Sequence, residues 1–485
     1  MPHSSFKEES FLFVRVESLC RGAVVTCTPE LDVVAMAGLM RQHDVSGLVV
    51  VEDGQPVGIV SVRDCRDLIA AAPNNLATMT VREIMTVGLV SLRPRDQVFD
   101  AVFKMAKHNI HRLVVLDEAG KLVGIITDTD LLRLQTRTPL YLNQELENAD
   151  SIEQLRQSGK RLFDMVRFAS RAGADTRSLV ELISHFNDVF TRRLVVLLDR
   201  DEGIRLPQGA AYLALGSEGR GEQTLRTDQD SAIVYADSTT PTQLREIECF
   251  STRLVDALEA IGVPRCPGNT MASNPYWRRS LSGWKELLDQ WMQVPKPENM
   301  VNFGMFQDLR CIHGDTGLER QLRDHIHAEV DRNALFLAHM ARNIVRFKPP
   351  LGFFGRIKVE SWGEHRDEID LKKSGIFTLT LGASLLTLEA GSSGGSTWEK
   401  FERLRRQGTI APVDLDTIEE SFTYLVQLRI EKQLRAIEAG KPPSNYLNPL
   451  VLTEKERAQL RAALKGAGTF LRILRDRFQL DLIAR

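Results

Sequence analysis

Two short clusters in the middle of the chain could do chemistry. Gly216-Ser217 follows the apolar run Ala210-Ala-Tyr-Leu-Ala-Leu215, and Asp228-Gln-Asp230 precedes a second run, Ser231-Ala-Ile-Val-Tyr-Ala236. Short apolar runs bounded by Gly and Asp predict strands, which places Gly216-Ser217 at a strand-to-helix turn and the two aspartates at the start of the next strand. Glycine allows close backbone approach there, and the Ser217 hydroxyl and the free amides of the turn can hold phosphate oxygens. Side chains at i and i+2 of a strand share a face, so Asp228 and Asp230 are expected to project together. Two carboxylates on one face, opposite a phosphate cradle, make a magnesium site. Such an ion would bridge the acids and a triphosphate, and the chemistry this predicts is attack on the α-phosphorus with pyrophosphate leaving. Arg220 and Arg226 are placed to neutralise developing charge, and Glu222 to orient Arg220 or help place the acceptor.

This stretch resembles the polymerase-β-like nucleotidyltransferase superfamily, whose pattern is Gly-Ser, a spacer, then Asp-x-Asp. The fuller form Gly-Ser-x-Gly-Arg-x-Glu-x-x-x-x-Thr-Asp-x-Asp, filled by residues 216–230, resembles the DUF294-type nucleotidyltransferases, relatives of the uridylyltransferase that modifies the PII protein. The resemblance implies an NTP substrate, Mg2+ and a protein or small-molecule acceptor, with a PII-like or other signalling protein among the candidates. It also implies a third carboxylate on a later strand. The segment Val263-Pro-Arg-Cys-Pro-Gly-Asn-Thr-Met271 contains no acid. Asp308, flanked by Phe306 and Leu309 in a strand-like run, is the candidate, and a structural ion pair with Arg310 is the alternative. Further segments resemble the family at Pro267–Pro275 with Trp277 and Trp284, at Phe306–Asp315 and at Ile369–Gly375, where Asp370 and Lys372 read as an interdomain network rather than chemistry.

The elements around these clusters begin with a repeat. Pro29, Val33, Met40, His43, Leu48 and Val49 recur 65 residues on as Pro94, Val98, Met105, His108, Leu113 and Val114. After a one-residue slip, Gly54, Val57, Gly58, Ile59 and Asp64 recur as Gly120, Val123, Gly124, Ile125 and Asp130. Each copy reads as a helix (31–43, then 96–108), a strand, a turn, a second strand and a second helix. Two such small units are expected to pack against each other. The strand ends, Gly58-Ile-Val-Ser61-Val-Arg-Asp64 and Gly124-Ile-Ile-Thr127-Asp-Thr-Asp130, put a hydroxyl and a carboxylate at a helix start, as a plain N-cap or as a contact for ribose and phosphate. Residues 10–137 resemble a tandem cystathionine-β-synthase (CBS) domain pair, with copies at about 10–72 and 78–137. By that resemblance Ser61, Asp64, Thr127 and Asp130 would contact an AMP- or ATP-type adenine nucleotide, and a homodimer is a candidate assembly.

Residues 145–200 read as a helical linker, broken at Arg171-Ala-Gly-Ala-Asp-Thr176. A nucleotidyltransferase-like domain is expected at 201–330. Helices recur through 331–485, which resembles the family's helical substrate-binding domain. The fold class is therefore multidomain α/β and α: a tandem CBS pair, a helical linker, a polymerase-β-like α/β core and a C-terminal helical bundle.

Bulk properties limit the partners. The chain of 485 residues carries 62 Lys plus Arg against 64 Asp plus Glu, a net charge of −2, which gives no broad field for nucleic acid or an anionic membrane. The apolar stretch Ile376–Ala390 is shorter than the roughly 20 residues a bilayer requires. No apolar h-region follows the N-terminus, and the six cysteines form no zinc-type spacing. A cytoplasmic protein with reduced thiols is the expectation. Two functions follow from these readings: a signal-transduction nucleotidyltransferase regulated by adenine nucleotide at the repeat, or a catalytically degenerate nucleotide sensor that docks a partner.

Overall fold

The computed structural model describes residues 15–20, 24–71, 76, 78–108, 110–135, 139–225, 228–352 and 355–482. These fall into two compact units, Met1–Tyr141 and Leu142–Arg485.

In the first unit the repeat folds twice. Asp32 caps α1 (Val33–Gln42) by accepting from the Ala35 amide at 2.7 Å. Around it lie β1 (Thr26–Cys27), β2 (Gly47–Glu52), β3 (Gln55–Ser61), α2 (Val62–Ala71), α3 (Val81–Ile84) and β4 (Thr86–Val87). The second copy is β5 (Ser91–Leu92), α4 (Val98–His108), β6 (Arg112–Leu116), β7 (Leu122–Thr127) and α5 (Asp128–Gln135). In each copy a short parallel strand joins an antiparallel hairpin, and the registers correspond: Val49 faces Ile59, and Val114 faces Ile125. Asp53 and Gly54 turn the first hairpin at φ 49° and 78°, the left-handed pair that a two-residue hairpin loop needs. Each copy buries its own apolar cluster, yet they are interlocked. Val16, at the start of the first copy, packs into the second copy's cluster and its amide donates to the Asp96 carbonyl at 2.8 Å.

The second unit opens with helices α6 (Pro139–Glu147), α7 (Ile152–Arg171) and α8 (Thr176–Glu202). Asp175 caps α8 after the Gly173 turn, so the expected break falls between α7 and α8. Then follow β8 (Ala210–Ala214), α9 (Gly216–Gly219), β9 (Ser231–Tyr235), α10 (Pro241–Ala260), β10 (Arg278–Ser280), α11 (Leu281–Gln293), α12 (Pro297–Phe306) and β11 (Arg310–Gly314). These strands form one sheet in the order β10-β9-β8-β11, with β10 parallel to β9 and the other pairs antiparallel. The remainder is helical: α13 (Thr316–Arg332), α14 (Ala334–Ile344), a π-helix (Lys372–Ile376), α15 (Phe377–Glu389), α16 (Thr397–Gln407), α17 (Pro412–Glu438) and α18 (Glu454–Arg477). A two-residue ladder pairs β12 (Ile369–Asp370) with β13 (Tyr446–Leu447). One continuous apolar core runs from Leu142 to Leu474. The stretch Ile376–Ala390 becomes α15, apolar on every side and buried from Thr378 to Leu388, as a central core helix must be. Among the described residues no helix is long and apolar enough to cross a membrane.

Candidate active site

The glycine-serine turn leaves β8 at Leu215, whose amide donates to the Asp230 carbonyl at 2.8 Å. Gly216 sits at φ 54°, and a Cβ there would stand 3.1 Å from Asp230 Oδ2. The Asp230 carboxylate therefore lies directly against the turn. Gly219 is needed for a different reason: a Cβ would come within 2.2 Å of the Asp308 carbonyl oxygen and 2.9 Å of the Ala214 carbonyl oxygen. The first amides of the α9 turn, at Ser217 and Glu218, have no acceptor within the turn.

Between the two aspartates, Gln229 is 1% exposed and its amide nitrogen donates to the carbonyls of Val255 and Val263, at 3.2 and 2.9 Å. Asp228 and Asp230 do not begin the strand as expected: β9 starts at Ser231, and Gln229 makes an isolated bridge to Arg265, so the pair lies in the segment that leads into β9. Burial raises the Asp230 carboxyl; the Cys266 thiol and Lys372 oppose that rise, and Asp228 adds to it as a like charge. Cys266 belongs to the acid-free 263–271 segment, so a thiol faces Asp230 from the side where the resemblance implies an acid. Burial pushes that thiol up to about 11.

Asp308 lies in the turn between α12 and β11 rather than in a strand. It is buried, and both of its oxygens are taken. Lys400 Nζ donates to Oδ1 at 2.5 Å, Arg220 Nη1 to Oδ2 at 3.0 Å and Ser384 Oγ to Oδ2 at 3.1 Å. Burial alone would raise Asp308, but Lys400 and Arg220 outweigh it and hold the carboxyl below its ordinary range. Arg220 also donates from Nε to Glu222 Oε2 at 2.8 Å, and Glu222 Oε1 accepts from the Thr397 amide at the start of α16. Arg220, Glu222, Asp308 and Lys400 thus form a buried, charge-balanced cluster that ties the motif to α15 and α16. Arg310 pairs not with Asp308 but with Asp188 of α8, at 2.6 and 2.9 Å, and it also donates to the carbonyls of Glu218 and Gly219. Ser184 of α8 accepts from the Gln223 amide at 2.9 Å. The linker helix therefore grips the turn directly. Arg226 lies outside the described residues.

Three family profiles match the chain. Residues 16–71 and 81–137 match the CBS domain, 160–298 match "Putative nucleotidyltransferase DUF294", and 334–478 match "Putative nucleotidyltransferase substrate binding domain". The chain is a CBS-pair protein of the DUF294 nucleotidyltransferase family. Among curated relatives, the uncharacterized protein MK0525 of Methanopyrus kandleri is 30% identical over 135 residues, covering 28% of this chain and 69% of that one. The CBS domain-containing protein YhcV of Bacillus subtilis is 37% identical over 108 residues, 22% of this chain and 76% of that one. Two further relatives, 33 and 35% identical, are spanned over only 36 and 23% of their length. A solved structure, the CBS-domain containing protein ATU1752 from Agrobacterium tumefaciens, is similar at 24% identity over 25% of this chain and 99% of that one, with a TM-score of 0.24.

In the DUF294-type unit a cleft of about 420 Å³, its opening to solvent included, lies beside the motif. Ser217, Arg220, Glu222 and Thr224 line it from one side, and Lys372, Trp398, Phe422 and Arg429 from the helical region. The last four were not legible as site residues from spacing, because they come from three helices far along the chain. In the CBS pair, the Ser61 amide and hydroxyl both donate to Asp64 Oδ2 at 2.7 Å. The Thr127 amide and hydroxyl donate to Asp130 Oδ2 at 3.1 and 2.7 Å. Each pair is thus arranged as a cap. Arg112, which sequence reading missed, reaches from the second copy to Ser46 of the first, at 3.0 Å to the carbonyl and 3.2 Å to the hydroxyl.

Glu218 of the DUF294 motif is buried, and burial pushes its carboxyl up to about 8, with Asp188 and Asp230 adding to the rise and Arg310 opposing it. Between the ordinary value of 4.5 and about 8 the folded protein holds a proton that the unfolded chain releases. Stability must therefore fall as pH rises through that window, by at most about 1.4 kcal/mol per pH unit. Glu218→Gln, which mimics the protonated acid, is expected to flatten this dependence and to melt higher than wild type near the top of the window. Melting curves across the window check it, and parallel slopes for the two proteins would refute it.

Proposed function

We propose that the 142–485 unit transfers a nucleotidyl group from an NTP to a hydroxyl of a protein or small-molecule acceptor, with Mg2+ held by Asp228 and Asp230. The observation that supports this best is the Asp230 carboxylate set against the Gly216-Ser217 turn, within 3.1 Å of where a Gly216 Cβ would be. The donor set fits the ion. The two acids offer hard carboxylate oxygens, and Asp230 is raised by burial with Asp228 repelling it, as expected where a cation is wanted. When bound, the ion would neutralise and orient the phosphates. Ser217 and the turn amides bind phosphate oxygen, and Arg220, fixed by Glu222 and Asp308, lines the cleft. The acceptor oxygen bonds to the α-phosphorus, the bond from the α-phosphorus to the bridging oxygen breaks, pyrophosphate leaves, and the hydroxyl proton passes to water. In this reading Asp308 acts through Arg220 as a positioning residue. An adenine nucleotide contacting Ser61, Asp64, Thr127 and Asp130 regulates transfer, provided it binds two states of the chain with different affinity. The grip of α8 on the turn offers the element that would carry the change.

The sensor reading has its own support: Cys266 rather than an acid faces Asp230, and Asp308 has no oxygen to spare. One experiment separates the two. Full-length protein is incubated with each of four labelled NTPs, Mg2+ and cell lysate. The enzyme reading expects label on an acceptor, lost when a chelator removes the metal. Tight NTP binding with no transfer from any of the four leaves only the sensor.

A further inference from the structure

The helical region sends two cations into the cleft, and neither meets a carboxylate. Lys372 is the first residue of the π-helix, a rare geometry found mostly at functional sites. Asp370, the acid nearest in sequence, is spent on backbone: its Oδ1 accepts from the amides of Lys372 and Lys373, at 2.9 and 3.2 Å. Among the described residues the Lys372 ammonium makes no hydrogen bond or ion pair. Arg429, 6% exposed in the middle of α17, donates from Nε to the neutral Asn445 Oδ1 at 2.8 Å and forms no salt bridge among the described residues. The two sit close enough to repel, and burial lowers both, Arg429 to about 10. Asp230 and Asp228 attract Lys372, and Asp228 and Asp370 attract Arg429, without forming an ion pair with either among the described residues.

The other buried cations of this unit behave differently. Arg220 and Lys400 each contact an acid within 3.0 Å. Unpaired buried charge costs several kcal/mol, so two like charges left side by side in a cleft mark the seat of an anion. The Thr224 hydroxyl, also lining the cleft, is buried without a partner among the described residues, and such atoms call for an explanation.

We infer that Lys372 and Arg429 hold the β- and γ-phosphates of the triphosphate, so that the helical region binds the donor's leaving pyrophosphate. This rests on the transferase reading for the α-phosphate at Ser217 and deepens it: the segment matched as substrate-binding grips the donor, whatever it also does for the acceptor. The acids take the metal, and the cations take the polyphosphate tail that extends from it.

The test uses the full chain, Mg2+ and inorganic tripolyphosphate, a probe that carries no base, with binding followed by calorimetry. Wild type is expected to bind. Lys372→Met and Arg429→Gln are each expected to weaken binding about tenfold or more, while Lys372→Arg keeps most of it. Both weakened variants are expected to melt no lower than wild type, because each removes an unpaired buried charge. Any binding at residues 15–141 is common to all four proteins. Unchanged affinity in both variants, or no binding by wild type, overturns the clamp. If binding falls as expected but no NTP gives transfer, the clamp stands and the transferase reading fails.

Discussion

Replacing Lys400 with methionine is expected to destabilise the 142–485 unit by about 3–5 kcal/mol, the cost of stripping one partner from a buried ion pair. Lys400 is fully buried, and its ammonium reaches Asp308 at 2.5 Å and Ser384 Oγ at 2.7 Å. Without it the cluster carries two acids against the single charge of Arg220. Methionine fills nearly the same volume, so loss of charge rather than a cavity carries the effect. Adding Asp308→Asn to Lys400→Met should return much of the loss, and a double-mutant cycle measures the coupling. The readout is the melting transition of the second unit, followed by a probe that reports on its tryptophans. A drop of less than about 1 kcal/mol would show that the cluster is not held together by this pair.

Asp230→Asn should behave in the opposite way, harming activity and sparing the fold. It removes a carboxylate that burial has already raised and that Asp228 repels, so the melting temperature is expected to hold or rise. Transfer of label, where wild type shows it, is expected to fall at least about 100-fold, since even outer-shell partners of a metal cost 10–100-fold when lost. The stabilisation that Mg2+ gives to wild type should vanish with it. Retention of a tenth of the activity would exclude Asp230 as a ligand. Asp228→Asn is expected to follow the same pattern of lost transfer.

The contrast between these two variants reflects what could be read from the sequence. Gly216 and Asp230 lie within fifteen residues, one just after β8 and one just before β9, so their approach was legible from local spacing. The repeat was legible because its spacing is copied. Asp308 was legible as an acid that mattered, but its partners were not. Nothing local states that Arg220 and Lys400, 88 and 92 residues away, close on it, or that Arg310 is drawn off by Asp188 on a helix 122 residues earlier. Phe306 ends a helix rather than starting a strand, because Pro297 at its first turn sets α12 running up to the Asp308 turn. One signal for Lys400 was present and unread. Thr397, Trp398, Phe401 and Leu404 form the buried stripe of α16, and Lys400 falls inside it, where a charge is out of place unless paired. Lys372 was marked only as a member of an interdomain network and Arg429 not at all, since their importance lies in lacking acidic partners, a property of three-dimensional neighbours alone.

The Thr397 amide that caps Glu222 has a consequence for how such chains can be divided. A polypeptide ending near residue 330 would strip Glu222 and Asp308 of their helical partners together and leave Arg220 to satisfy two acids alone. Exchange between homologues should therefore be tolerated ahead of α6, the helix that runs across the 141/142 boundary, so that the N-terminal repeat could travel as a cassette. Residues 142–485 would have to be inherited as a single piece, even though the matched segments 160–298 and 334–478 look like separate parts.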